Sequence, residues 1–201
     1  LSNQDREDLL DLLATRSARR GQFVLASGRT STLYIDARLT TMSPEGLAVL
    51  GPLAMSAILR HFGPVDAVGG LTLGADPIAY AIAYHSASTA TPIRAFTVRK
   101  EAKTHGTGRL IEGPYREGDR VVVIEDVITT GASALRAVDA LQAAGARIMG
   151  VLAVVDREEG GREVLESRGL AVIVLATATE ILSRGLMPED QNSSSEPGVA
   201  G

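Results

Sequence analysis

Residues 121–133 read V-V-V-I-E-D-V-I-T-T-G-A-S, and this stretch restricts the fold more than any other. Residues 121–124 are a continuous apolar run. That is the pattern of a strand buried on both faces, as where helices cover both sides of a parallel sheet. Glu125 and Asp126 then place two carboxylates where that strand is expected to end. Thr129, Thr130, Gly131 and Ser133 form a small polar loop that leads into a helical pattern. Backbone N–H groups at a helix start, joined by hydroxyls, form a seat for a phosphate. Two acids beside such a seat suit a phosphorylated sugar, whose hydroxyls or bound metal need acceptors. The plainer alternative is that the acids cap the strand and a Thr or Ser caps the next helix.

The rest of the chain is organised around this unit. Residues 4–16 carry Leu9, Leu10, Leu12 and Leu13 among acids and arginines, an amphipathic helix with Asn3 or Ser2 as cap. Residues 21–36 read as a hairpin turning at Ser27-Gly28-Arg29. Ser43-Pro44 opens a helix that runs to about Phe62 and stops at Gly63-Pro64. Strands are then expected at 65–70, 93–98, 121–125, 147–155 and 171–175. Helices are expected at 74–85, 132–144, 162–167 and 179–184, with Gly145 closing the second of them. Such β–α alternation predicts an α/β fold, a mostly parallel twisted sheet flanked by helices. Ligands in such sheets bind outside the carboxyl ends of the strands. One domain over 1–187 is expected, with a disordered Ser-, Pro- and Gly-rich tail at 188–201. No internal repeat is present.

Three more loops fall at expected strand ends. Gly70-Leu71-Thr72-Leu73-Gly74-Ala75-Asp76 has glycines that permit close backbone approach, and N–H groups that could hold an anion; the alternative is a plain Gly-rich turn. Residues 99–117 lack apolar periodicity and carry five basic residues plus His105. Within them Arg99, Lys100 and Lys103 concentrate positive charge without interleaved aromatics, which suits a diphosphate better than a nucleic-acid strand. Gly106 and Gly108 give the freedom of a lid, although most charge runs are solvated surface. Arg157, after the strand at 147–155, can hold a carboxylate with a bidentate fork, or pair with Glu158 or Glu159.

The 121–133 segment resembles the phosphoribosyl-diphosphate (PRPP) motif of the type I phosphoribosyltransferases. Arg99-Lys100-Glu101-Ala102-Lys103-Thr104-His105-Gly106 is similar to the catalytic loop of the orotate-using branch, and Asp156-Arg157-Glu158-Glu159-Gly160 to its base-recognition segment. The resemblance covers residues 23–169. It implies the type I fold with a small N-terminal hood (about 1–40) and a lid (about 99–117). It implies transfer of phosphoribose from PRPP to orotate with Mg²⁺ held mainly by PRPP, in pyrimidine biosynthesis. By the same resemblance Glu125, Asp126, Val127, Ile128, Thr129, Thr130, Gly131, Ala132 and Ser133 bind PRPP. Leu73 and Gly74 form the diphosphate loop, where family members often have a strained or cis non-proline peptide. Arg99, Lys100, Lys103 and His105 contact the diphosphate, with Lys103 and Asp126 catalytic. Thr129, Arg157 and Tyr34 meet orotate, although Tyr34 is equally readable as a core aromatic. Ala26 stands where some members carry a lysine, a contact then either absent or supplied by Arg29 or Arg38. The family's loop closes over a neighbouring subunit, which implies a homodimer with shared sites.

Composition limits the rivals. The 201 residues include 20 basic and 24 acidic side chains, a net charge of −4, which argues against a general nucleic-acid binder. There is no cysteine, which removes disulfides and thiolate chemistry and fits a reducing cytoplasm. No apolar run approaches a membrane span. The remaining alternatives are a phosphoribosyltransferase for another base and a PRPP-sensing regulator that binds nucleic acid.

Overall fold

The computed structural model describes residues 3–24, 30–101 and 110–185. The chain starts with α1 (Asn3–Leu12), whose last turn loosens into a π-helical turn, Leu13–Ser17. The hood strands β1 (Ala18–Val24) and β2 (Thr30–Ile35) pair antiparallel. The hairpin therefore starts earlier than its apolar residues suggest. A single turn, α2 (Arg38–Thr41), follows, and then α3 (Pro44–Phe62). Ser43 caps α3 by accepting from the Gly46 N–H at 3.1 Å, and Gly63 ends it at φ 69°, as the sequence predicts.

The remaining elements are β3 (Ala67–Leu71), α4 (Ala75–Ser86), β4 (Arg94–Val98), β5 (Ile111–Glu112) and β6 (Arg120–Ile128). After them come α5 (Ala132–Ala143), β7 (Arg147–Asp156), α6 (Gly161–Ser167), β8 (Val172–Thr177) and α7 (Ala178–Ser183). Two expectations are corrected. Residues 99–117 are not wholly irregular, because Ile111 and Glu112 pair antiparallel with Val98 and Thr97. The β6 strand does not stop at the acid pair: Val127 and Ile128 continue its ladder against Val155 and Asp156 of β7.

The large sheet has the order β5-β4-β3-β6-β7-β8, with every pair parallel except β4–β5. From β3 the chain steps outward to β4, then returns across β3 to β6 and proceeds to the other edge. The β3–β6 seam is thus the topological switch point, where such sheets open a crevice. Burial on both faces of β6 is seen directly. Val122 and Ile124 pack with α1, α3 and α4 residues such as Leu9, Ile58 and Ile78, while Val121 and Val123 pack with Ala137, Val138 and Leu141 of α5. The sheet is therefore clamped from both sides, which fixes the strand ends that carry the site.

Candidate active site

At the carboxyl end of the switch point lies a cavity of about 320 Å³. Its wall joins the hood (Tyr34 to Arg38), the β3–α4 loop (Leu71 to Gly74), Lys100, the β6 end (Glu125, Asp126, Val127), Thr129 and Ser133, and Arg157. Four separate strand ends and the hood thus bring the sequence motifs to one place.

The β6–α5 turn has the geometry of an anion seat. Gly131 sits at φ 77°, and a side chain there would meet the Gly161 carbonyl at 2.8 Å. No side chain caps α5, so the alternative in which Thr or Ser serves only as a helix cap is not what forms. The closest approach is a long contact, 3.5 Å, from the Ala132 N–H to Thr130 Oγ. The N–H groups that open α5 are left for a ligand, and the helix dipole adds partial positive charge. Thr130 and Ala132 are exposed there, whereas the Ile128 side chain is packed in the α5-side core, and its carbonyl accepts the Arg157 N–H at 2.9 Å.

Glu125 is only 7% exposed, and Asp126 is half-buried. Burial first, and then the neighbouring Asp126, push the Glu125 carboxyl up from 4.5 to about 9. Near neutral pH Glu125 therefore holds its proton. The Asp126 carboxylate packs against Gly74, where an added Cβ would lie 2.4 Å from it. A side chain at Gly74 would displace the Asp126 carboxylate, so the β3–α4 loop and the acid pair fit each other. The Thr72–Leu73 peptide in that loop is cis, as the resemblance implies.

Arg157 has a side chain only 7% exposed. Its Nη2 donates to Glu159 Oε1 at 2.8 Å and to the Leu33 carbonyl of the hood at 3.3 Å. It therefore both lines the cavity and pairs with a neighbouring acid. Glu158 turns away: it has φ 58°, and its carboxylate accepts from the N–H and hydroxyl of Thr179 at 2.8 and 2.7 Å. Tyr34 is 40% exposed, with its ring 5.4 Å from that of Phe23, so it stands at the cavity wall and not in the core. Arg38 forks onto Asp36 at 2.8 and 2.9 Å and holds the Asp36 carboxyl below its ordinary range.

Of the lid residues, Lys100 reaches the cavity wall, and its carbonyl accepts from Arg136 at 2.8 Å. Arg99 turns instead toward β5, with its guanidinium 3.8 Å from Glu112. Lys103 and His105 lie outside the described residues, as do Ala26, Arg29 and the tail. Sequence reading assigned no site role to Asp36, Ala37 and Thr72, although all three fall within or beside motifs it had singled out.

An uncapped helix start, an acid pair and a glycine loop at the switch point of a parallel sheet fit the phosphoribosyltransferase class that the sequence motifs resemble. A family model described as "Phosphoribosyl transferase domain" matches residues 44–179. The orotate phosphoribosyltransferase of Aquifex aeolicus is 49% identical over 181 residues, 89% of this chain and 98% of that protein. The Synechocystis enzyme of the same name is 46% identical over 179 residues, 89% of each chain. The structure of Mycobacterium tuberculosis orotate phosphoribosyltransferase in complex with PRPP superposes with a TM-score of 0.74 at 39% identity, covering 88% of this chain and 98% of that one. The chain belongs to the orotate phosphoribosyltransferase family.

Proposed function

We propose that this chain transfers the 5-phosphoribosyl group of PRPP to orotate, releasing diphosphate and giving orotidine 5′-monophosphate for pyrimidine biosynthesis. The observation that carries the reading is one cavity holding both the β6–α5 phosphate seat and a buried arginine, Arg157, suited to a carboxylated base. The C1–oxygen bond to diphosphate breaks while a bond from the orotate ring nitrogen forms on the opposite face, with inversion. Positive charge develops on the ribose, so the protein contributes position and charge rather than a covalent intermediate.

In this reading the N–H groups and hydroxyls of residues 129–133 seat the 5′-phosphate. Asp126 opposes the developing ribose charge and holds a ribose hydroxyl. Glu125, carrying its proton, donates to a second one. Leu73 and Gly74 meet the diphosphate through backbone, with Lys100, Lys103, His105 and Arg99 completing its surround once the lid closes. Arg157 orients the orotate carboxylate, beside Thr129 and Tyr34. The donor set fits magnesium: Asp126 supplies a hard oxygen at the cavity wall, and PRPP the rest. An ion held there by Asp126 and PRPP would supply positive charge to the leaving diphosphate.

The same reading treats residues 1–187 as one functional unit working as a homodimer. Its support is exposed apolar side chains in two groups, Leu39, Met42 and Leu73 in one hollow and Tyr80 and the 88% exposed Tyr84 in another. In this reading a second copy docks on those residues and its lid serves the neighbouring cavity. We place the enzyme in the cytoplasm, because a chain without cysteine needs no oxidising compartment. No helix among the described residues is long and apolar enough to cross a membrane.

The test is loss of orotate absorbance on mixing with PRPP and Mg²⁺, beside parallel assays with uracil, adenine, guanine and hypoxanthine. Turnover of orotate alone is expected. Turnover of another base without orotate overturns the assignment.

A further inference from the structure

Asp76 lies in the first turn of α4, where an acid ordinarily faces water and favours the helix dipole. Here it is only 8% exposed, and both of its oxygens are taken. Thr72 Oγ donates to Oδ2 at 2.7 Å, and Thr97 Oγ donates to Oδ1 at 2.8 Å. The Tyr80 hydroxyl, 3.0 Å from Thr97 Oγ, completes the chain by donating to it. Thr72 belongs to the β3–α4 loop, and Thr97 to the end of β4, two residues before Arg99. One buried carboxylate therefore ties together the two segments assigned above to the diphosphate.

The backbone repeats the tie. The Thr72 N–H donates to the Val98 carbonyl at 2.8 Å, and the Asp76 N–H to the Leu73 carbonyl at 3.3 Å. Carbonyl and N–H point in opposite directions across a trans peptide. With the Leu73 carbonyl drawn back to Asp76, the Gly74 N–H faces away from the helix, and Gly74 lines the cavity. A buried carboxylate bonded only on one side would be costly. Two hydroxyl donors satisfy Asp76 while holding the loop at a fixed distance from β4.

We infer that Asp76 is a positioning residue for diphosphate: through Thr72 and Thr97 it holds the β3–α4 loop against the end of β4, so that the loop N–H groups face the leaving group. This rests on the reading of residues 72–74 as the diphosphate loop. Asp76 touches no substrate itself. Its loss weakens one half of the substrate and leaves the base half intact, a split that a general loss of stability would not produce.

The test uses the full chain below the unfolding temperature of each variant, with steady-state kinetics and calorimetric titration of magnesium diphosphate. Asp76→Ala is expected to raise both the KM for PRPP and the Kd for diphosphate at least ten-fold, with the KM for orotate unchanged within two-fold. Asp76→Asn keeps one acceptor and can bond the second hydroxyl by donating to it, so it should stay within three-fold of the parent. Leu73→Pro, which deletes a loop N–H, serves as the control for the loop itself. If Asp76→Ala lowers only the unfolding temperature while Leu73→Pro weakens diphosphate, the positioning role is overturned and the loop reading stands. If neither variant moves diphosphate affinity, the loop reading falls and takes the role with it. Should Asp76→Ala not fold, Thr72→Val/Thr97→Val decides: unchanged diphosphate affinity overturns the role, and a loss of at least five-fold supports it.

Discussion

Glu125 and Asp126 are adjacent acids with different surroundings, and their substitutions should differ accordingly. Glu125 titrates near 9 in the folded chain against an ordinary 4.5. Between those values the folded state holds a proton that the unfolded state releases, so stability falls as pH rises through this window, by at most about 1.4 kcal/mol per pH unit. Below the window both states are protonated and the difference vanishes. Glu125→Gln copies the protonated form. Thermal unfolding should show it more stable than the parent, with an advantage that grows from pH 5 to pH 9. Activity should fall less than ten-fold in Glu125→Gln and at least a hundred-fold in Asp126→Asn, measured as kcat/KM for PRPP near neutral pH. Equal losses would remove the distinction drawn between the two acids. Sequence alone showed the pair but not the difference, because the burial of Glu125 is set by packing on β6 and not by its neighbours in the chain. Asp76 was hidden for a related reason. Its partner Thr97 lies 21 positions away, so in sequence it looks like any acid in a helix first turn.

At the scale of elements, strong local signals were legible. Ser43-Pro44 opens α3 with the hydrogen bond the sequence predicts, and Ser43→Ala should cost about 1 kcal/mol, read from urea unfolding. The double-faced apolar run of β6 announced a parallel sheet. Elements held by tertiary pairing were not legible. Residues 111–112 are too short for any periodicity and become β5 only because β4 offers an open edge. The acidic side chains of Glu125 and Asp126 suggest a strand end, yet the β7 ladder carries β6 to Ile128. The extra length sets the turn at Thr129 and directs the α5 start at the cavity. One turn of helix at Arg38–Thr41 also escaped notice, since Thr40 and Thr41 are weak helix formers held by full burial.

For the whole molecule, four motifs far apart in sequence converge because β3, β4, β6 and β7 run parallel and end on one side. That convergence was foreseeable from β–α alternation. The hood's contact with Arg157 was not, since it joins residues 124 positions apart. Cooperation between copies is testable without a further structure. Lys103→Ala should reduce turnover by orders of magnitude while PRPP still binds, and Arg157→Ala should reduce it through orotate. Mixing the two inactive proteins should restore partial activity if each lid serves the neighbouring cavity, because mixed dimers rebuild one intact site. No recovery, with subunit exchange demonstrated by mass spectrometry, would assign each lid to its own chain.

The hydrogen bond from Arg157 to the Leu33 carbonyl joins the group proposed to orient the base to the backbone of the N-terminal hairpin. Any ligand that draws the guanidinium into a fixed pose also selects one placement of β2. By linkage, whatever steadies β2 must strengthen that ligand by the same factor. Occupancy at the base end is thereby transmitted to the front of the chain, where hydrogen exchange of the amides at 32–35 should slow on adding orotate and not on adding diphosphate.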